Sequence, residues 1–330
     1  MTHTPCAFTI IGDVGVDVVL GPIDRWPTVG TEVLMDRSEL RPGGSGGNAA
    51  LAASYLGAPC RLLSLVGNDG LGTWLAQQFS GISASLPVCD AATSISVGII
   101  HSVGERTFLT TRGHLEQLAY EHVEPFLTRA RHRHSIVLLS GVFLTPKIRK
   151  DYSRLIDEIV ALGHQVALDT GWPSGDWHDD LRLEMAQWVA KCDHVLLNEI
   201  EVSSLGNDRD LQAAMHNVSA MLKPGASLIV KTGAKGAVGI QNGASVVSAA
   251  VPADVFDTIG AGDSFNAGYL LGRVNGYDLA DALEAGCNAA ASIISRFPRR
   301  QIRPGELASR IALPDLLTGA LLPTKAAQKS

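Results

Sequence analysis

The chain has 330 residues, and several protein classes are excluded by what it lacks. Long apolar runs are missing: nothing approaches the ~18 residues of a membrane-spanning helix, so no span is expected. The first residues show no basic stretch leading into an apolar one, so no signal peptide is expected, and a cytoplasmic setting is the expectation. Cysteine is scarce and scattered: Cys6, Cys60, Cys89, Cys192 and Cys287, with no C-x-x-C. An odd count without metal-ligand spacing reads as free thiols in a reducing compartment. Charge of one sign is never concentrated. The net charge of −6 is spread without long blocks, so neither nucleic acid nor an anionic membrane is expected as a partner. Arg131-His132-Arg133-His134 has no acidic partners at metal-ligand spacing and reads as a solvated loop. Two nucleotide signatures are absent as well. G-x-x-x-x-G-K-[ST] does not occur. Gly44 to Ala49 departs from G-x-G-x-x-G at its last position, and it follows a proline-bearing stretch instead of a central strand. A nicotinamide dehydrogenase is therefore disfavoured. No internal repeat or low-complexity tract is present.

With 46% hydrophobic residues, the chain can build one large α/β core. Short apolar runs predict strands at Phe8–Gly12, Arg61–Gly67, Ser135–Leu139, Gln165–Asp169, His194–Leu197 and Ser227–Lys231, with two more at about 236–241 and 244–251. Helical segments are predicted over 43–57, 70–79, 146–162, 179–190, 208–222, 264–273 and 278–295. Strands alternating with helices predict a mainly parallel sheet covered on both faces, a three-layer α/β/α arrangement. Ligands in such folds sit at the carboxyl ends of strands, where Asp169, Asn198 and Gly233 fall. Between 18 and 42 the helical period vanishes. Ser94–His101 and Arg106–Thr111 read as a hairpin joined by Ser102-Val103-Gly104-Glu105. These two stretches predict a small lid sheet beside one domain spanning 1–330. The tail from about Pro314 is expected to be loosely held.

Two glycine-rich turns open helices. Asp257-Thr258-Ile259-Gly260-Ala261-Gly262-Asp263 precedes an apolar helical run. The first turn of a helix presents unpartnered N–H groups and the positive end of the helix dipole, which suits an anion. Asp263 lies within that turn, where a carboxylate can take a proton from a hydroxyl while the amides hold the moving charge. That pairing suggests phosphoryl transfer to an alcohol. Upstream, Gly43-Gly44-Ser45-Gly46-Gly47-Asn48 is a second such turn, with Asn48 near its end. Together, from about Phe8 to Arg296, they resemble the ribokinase-like (PfkB) family of small-molecule kinases, whose downstream signature Asp-Thr-x-Gly-Ala-Gly-Asp is matched at every fixed position.

The resemblance implies a ribokinase-like fold and an ATP-dependent carbohydrate kinase using Mg2+ and, in some relatives, K+. Asp263 would be the catalytic base, with Gly260, Ala261 and Gly262 as anion hole. Asp17, Gly43, Gly44 and Asn48 match positions that bind the acceptor sugar. Asn198-Glu199-Ile200-Glu201 resembles the family's Asn-x-x-Glu motif. Glu201 would hold hydrated magnesium, while a plain capping arrangement fits the same residues. Lys231, Thr232, Gly233 and Gly236 resemble the nucleotide loop, with Lys231 where a Thr is usual, and Asn288 matches a position near the adenine and ribose. Asp257 suggests a monovalent-cation site, although the loop Arg296-Phe297-Pro298-Arg299-Arg300 departs from the usual Gly-Ala. Gly15 and Ser140-Gly141-Val142 lack the Asn and Glu that ribokinases carry, which argues against ribose itself. Arg106 and Arg112 in the lid would suit an acidic or phosphorylated sugar, or they are solvated strand residues. Trp26 and Phe108 would suit a nucleoside base instead. A sugar-sensing protein without catalysis is a third reading, disfavoured by retention of Asp263, the glycines and Glu201. Exposed lid edges predict a homodimer.

Overall fold

A computed structural model describes residues 7–102, 105–173, 175–299 and 302–311. Cys6, the hairpin tip Val103-Gly104 and the expected loose tail lie outside the described residues. In chain order the first strands are β1 (Phe8–Gly12), β2 (Gly15–Ile23), β3 (Arg37–Gly43), β4 (Arg61–Leu63) and β5 (Val66–Gly67). Next come β6 (Ser83–Ser85), β7 (Val88–Cys89), β8 (Ile95–His101), β9 (Arg106–Thr110) and β10 (Ile136–Ser140). The last five are β11 (Gln165–Leu168), β12 (His194–Asn198), β13 (Ser227–Lys231), β14 (Ala237–Gln241) and β15 (Ala244–Ser248). The helices are α1 (Ser45–Tyr55), α2 (Gly70–Gln78), α3 (Tyr120–Val123), α4 (Pro146–Arg149) and α5 (Tyr152–Ala161), then α6 (Asp179–Val189), α7 (Glu199–Leu205), α8 (Leu211–Ser219), α9 (Ala261–Val274) and α10 (Leu279–Ile294).

Nine strands form the main sheet in the order β15-β14-β13-β12-β11-β10-β1-β4-β6. It is parallel from β13 to β6, and β14 and β15 add antiparallel strands at one edge. Its central strands are continuous apolar runs because both faces are covered. Along β10, Ile136 and Leu138 enter one core while Val137 and Leu139 enter the other. The first core is closed by alanines of α1 and by residues of α9 and α10. The second is closed by Tyr152, Leu155, Leu181, Val202 and Ala214 from α5 to α8. Each large side chain so buried contributes about 1.5–3 kcal/mol. The three layers anticipated from the alternation are therefore present.

The differences are local. The single strand expected over 61–67 divides, because Ser64 N and Val66 N turn to Ser85 O and Pro87 O; β5 then pairs with β7 away from the main sheet. The helix expected over 146–162 is two helices, interrupted at Lys150–Asp151. That expected over 208–222 begins late, because the Asp210 carboxylate accepts from Ala213 N and caps α8 there.

The second sheet has the order β3-β2-β8-β9 and stands apart from the main one, built from the two stretches expected to form a small lid sheet. Its registers align Arg41, Asp17, Ser96 and Thr110 in one cross-strand row, and Leu40, Val18, Val97 and Leu109 in the next. Successive residues of a strand face opposite ways, so the first row lies on one face and the second on the other. The polar face turns to the main domain: Arg37, Arg41 and Arg106 from it all reach the segment Asp257–Thr258.

Candidate active site

The carboxyl ends of five adjacent strands, β1, β10, β11, β12 and β13, deliver Asp13, Gly141, Asp169, Asn198 and Lys231 to one edge of the sheet. The first turn of α9 lies against that edge. Gly260 precedes it with φ 75°, a left-handed conformation that favours glycine, and a Cβ there would lie 3.3 Å from Asn48 Nδ2. No side chain caps the turn. Ala261 N turns back to Thr258 O at 3.1 Å, so the amides at Gly260 and Gly262 are better disposed toward an anion than that of Ala261, which was expected to share the role.

Asp263 sits in this turn, half-buried, and its Oδ2 accepts from Asn48 Nδ2 at 2.9 Å. Burial, and then the charge of Asp169, push its carboxyl up to about 8, against the opposing pull of Asn48 and Lys231. Lys231 Nζ donates to Asp169 Oδ2 at 2.7 Å and to Asn266 Oδ1 at 3.3 Å, and Asn266 Nδ2 donates to the same Asp169 oxygen. Burial would lower the Lys231 ammonium, but Asp169 and Glu201 raise it above its ordinary range, so it stays charged. Glu201 is raised to about 7, first by burial and then by Asp169. The edge thus holds several carboxylates that repel one another around one ammonium. A cation or a phosphate carried with a cation would relieve that repulsion.

The acceptor-side residues converge on α1. Asp13 accepts from Ser45 N at 3.0 Å and Gly46 N at 3.1 Å, and so fixes the start of that helix. Asn48, one turn on, reaches Asp263. Asp17 lies against Gly43, where a Cβ would come within 2.2 Å of its carboxylate. Burial pushes Asp17 up to about 7, while Arg41 opposite it on β3 pulls the other way. Gly44, at φ 83°, passes over Asp13 O. Asp17 and Gly43 therefore meet, Gly44 leads into α1, and Asn48 of that helix reaches Asp263.

On the nucleotide side, Asn198 and Glu201 form a reciprocal capping box. Asn198 Oδ1 accepts from Glu201 N at 2.9 Å, and Glu201 Oε2 accepts from Asn198 N at 2.8 Å. The capping alternative thus accounts for both side chains locally, and leaves Glu201 beside Asp169. Thr232 N bonds Gly236 O at 2.9 Å, closing a tight loop through Gly233. Lys231 was expected in that loop; its side chain is directed instead into the carboxylate cluster. Asn288 lines an open groove between α10 and the segment Val251–Ala253, and donates to Glu284 O.

Asp257 requires a correction. Its carboxylate accepts from Arg37 at 2.7 Å, from Arg41 at 3.2 Å and from Arg299 at 2.8 Å. Burial alone would raise it, but the Arg299 and Arg41 guanidiniums hold it below the usual carboxylate range. A monovalent ion there would meet three guanidiniums, so the expected cation site does not fit this donor set. Arg112 matches the solvated alternative: its side chain is 89% exposed and pairs with Glu116 four residues on. Arg106 donates to Thr258 Oγ1 at 2.6 Å, which makes it a lid-to-turn contact. Trp26 packs on His101 at the far end of β8, whereas the Phe108 ring and Ile259 both adjoin Gly98. Arg37, Arg41 and Asn266 carried no motif; only the folded chain joins them to the site, whereas Arg299 lies in the loop already set beside Asp257 by the family resemblance.

A mainly parallel, three-layer domain with a separate lid sheet and its polar residues at the strands' carboxyl ends is the ribokinase-like fold. Adenosine kinase from Sinorhizobium meliloti superposes with a TM-score of 0.78 at 21% identity, covering 93% of this chain and 99% of that one. Ribokinase of Bacillus subtilis (strain 168) is 24% identical over 295 residues, covering 87% of this chain and 92% of that protein. A nucleoside kinase of Methanothermobacter thermautotrophicus is likewise 24% identical over 294 residues, covering 87% of each chain. The profile of the pfkB family carbohydrate kinases matches residues 11–300, so the chain belongs to that family. It is an ATP-dependent carbohydrate kinase in this sense. Among the described residues, no helix is long and apolar enough to cross a membrane.

Proposed function

We propose that the protein transfers the γ-phosphate of ATP to a hydroxyl of a sugar or sugar-derived molecule, with Asp263 as the base. The observation that carries this reading is the placement of Asp263: in an uncapped helix turn, held at 2.9 Å by Asn48, with a proton affinity tuned to about 8. A base whose pKa lies near the working pH combines a useful ionised fraction with useful basicity. The acceptor hydroxyl would lie between Asp263 and Asp17, with Gly43, Gly44 and Asn48 around it. Asp17 would accept from a second hydroxyl of the same molecule. The transferring phosphoryl group would rest on the amides at Gly260 and Gly262, with Lys231 behind Gly262 balancing its charge. Asn198, Thr232, Gly233, Gly236 and Asn288 would line the path of the nucleotide.

The carboxylate edge fits hydrated magnesium. Asp169 and Glu201 are hard oxygen donors close enough for one to raise the proton affinity of the other, and both already have protein partners, which favours contact through water. Magnesium, when bound, supplies charge neutralisation at the phosphates. A homodimer through the lid belongs to the same reading.

A nucleoside acceptor is the second reading, favoured by the Phe108 ring beside Ile259, where a base would have an apolar wall. The test is a coupled ADP-release screen over neutral sugars, sugar acids, sugar phosphates and nucleosides. Turnover with a sugar-derived alcohol, abolished in Asp263→Asn, is the expected result. Turnover with nucleosides alone would favour the second reading. Acceptor-independent activity unchanged in Asp263→Asn would sink both.

A further inference from the structure

The segment that leads into the anion-binding turn is organised around one side chain from the far end of the domain. Arg299 follows α10 and is buried. Its Nη2 donates to Asp257 O at 2.6 Å and to Asp257 Oδ1 at 2.8 Å, and its Nη1 donates to Ile259 O. One positive centre therefore gathers two main-chain carbonyls and one carboxylate from Asp257 and Ile259. Gly260, the N-cap of α9, comes next in the chain, and a Cβ on it would lie 3.4 Å from Arg299 Nη1. The gathered oxygens are hard, closely spaced and turned inward, the donor type that a monovalent metal ion takes where no guanidinium stands among them. Here a guanidinium occupies their centre. Glu39 and Asp257 face Arg37, Arg41 and Arg299 in one cluster of ion pairs behind the turn.

We propose that Arg299 is a built-in cation: it presets the Asp257–Gly260 segment and with it the phosphate-cradling turn, so that the protein needs no monovalent metal ion. Arg299 is a positioning residue acting through the backbone, and it touches neither substrate. Buried guanidinium is suited to this work because it keeps its charge and donates along fixed directions. Burial lowers it only to about 10, so it is charged throughout the neutral range. Beside it a small pocket opens between Arg41, Asn48, Tyr55, Gly260, Ser264 and Arg299. Shortening Arg299 enlarges this pocket and leaves the carbonyls of Asp257 and Ile259 without their donor.

The test has two parts. Melting temperatures of the full-length wild type and Arg299→Ala are compared in tetramethylammonium, sodium and potassium chlorides at equal ionic strength, and with millimolar guanidinium added. The expected result is a wild type indifferent to the ion, and a variant of lower melting temperature that potassium or guanidinium specifically raises by mass action. Turnover, which rests on the kinase reading, is expected to fall about 100-fold in Arg299→Ala with KM for ATP little changed, and to recover in part with either ion. Should Arg299→Ala not fold, Arg299→Lys takes its place, expected to fold and to keep part of the turnover without added ion. A wild type specifically stabilised or activated by potassium overturns the proposal. So does a folded variant that neither ion stabilises. Loss of all ATP consumption by the wild type would instead sink the kinase reading, and would leave the melting comparison intact.

Discussion

A carboxyl with its pKa near 8 is mostly protonated at pH 7, so Asp263 opposes folding when it ionises. The folded state holds this proton more tightly than the unfolded chain, whose ordinary value is 3.8. Stability from this group is thus fully present below pH 3.8 and declines as pH rises toward 8. Asp263→Asn removes that decline. Its melting temperature relative to wild type should climb between those limits and level off above them, as a calorimetric pH series would read. The same substitution should lower kcat by about 1,000-fold, the middle of the range for a lost base, while ATP affinity measured by titration calorimetry changes little. A variant with normal kcat would end the assignment. Lys231 is the neighbouring test. Lys231→Met leaves Asp169 and Glu201 facing each other with no ammonium between them. Removing one partner of a buried pair costs about 3–5 kcal/mol, and chemical denaturation at pH 8 should show a loss of that order that shrinks in acid, where Glu201 regains its proton. Of these residues, Asp263 was singled out in the sequence by its turn and helix taken together with the upstream glycine-rich turn. The role of Lys231 was not, because only the folded sheet places it beside Asp169, 62 residues away.

Elements were legible where local patterns set them, and less so where a distant contact did. The runs of β10 to β13 announce strands buried on both faces, and the sheet follows from their alternation with helices. The break at Ser64 depends on acceptors at Ser85 and Pro87, which no local period reveals. The second sheet was readable as strands outside the main sheet, but its hold on the segment before α9 was not: Arg37 and Arg41 lie 220 and 216 residues from Asp257. That hold matters for the acceptor. Arg41 faces Asp17 across the register of β2 and β3, and its charge keeps the Asp17 carboxyl lower than burial alone would set it. In Arg41→Met, Asp17 should take its proton at a higher pH than about 7. Acceptor KM should then rise at neutral pH and recover as pH increases, while KM for ATP stays near its wild-type value. A change confined to ATP would show that Asp17 does not bind the acceptor.

At the scale of the molecule, the lid reverses the usual distribution of polarity. Its inner face carries Arg41, Asp17, Arg37 and Arg106, and Arg37 and Arg41 pair with Asp257 of the main domain while Arg106 donates to Thr258. Its outer face carries the row Leu40, Val18, Val97 and Leu109, across all four strands. Leu109 is 56% exposed and Leu40 is 39% exposed. An apolar row crossing a whole sheet is more surface than isolated exposed residues explain, and a second copy of the same sheet can bury it by twofold symmetry. Val18→Glu places a charge in the middle of that row, where pairing would desolvate it without a partner. The expected result is a dimer for wild type and a monomer for Val18→Glu in light scattering, with the circular dichroism of the two alike. Because the same strands carry Asp17 and Arg41 on their inner face, loss of the dimer should raise acceptor KM more than it lowers kcat. A wild type that is monomeric at every concentration tested would remove the lid as an interface and leave the row without a function.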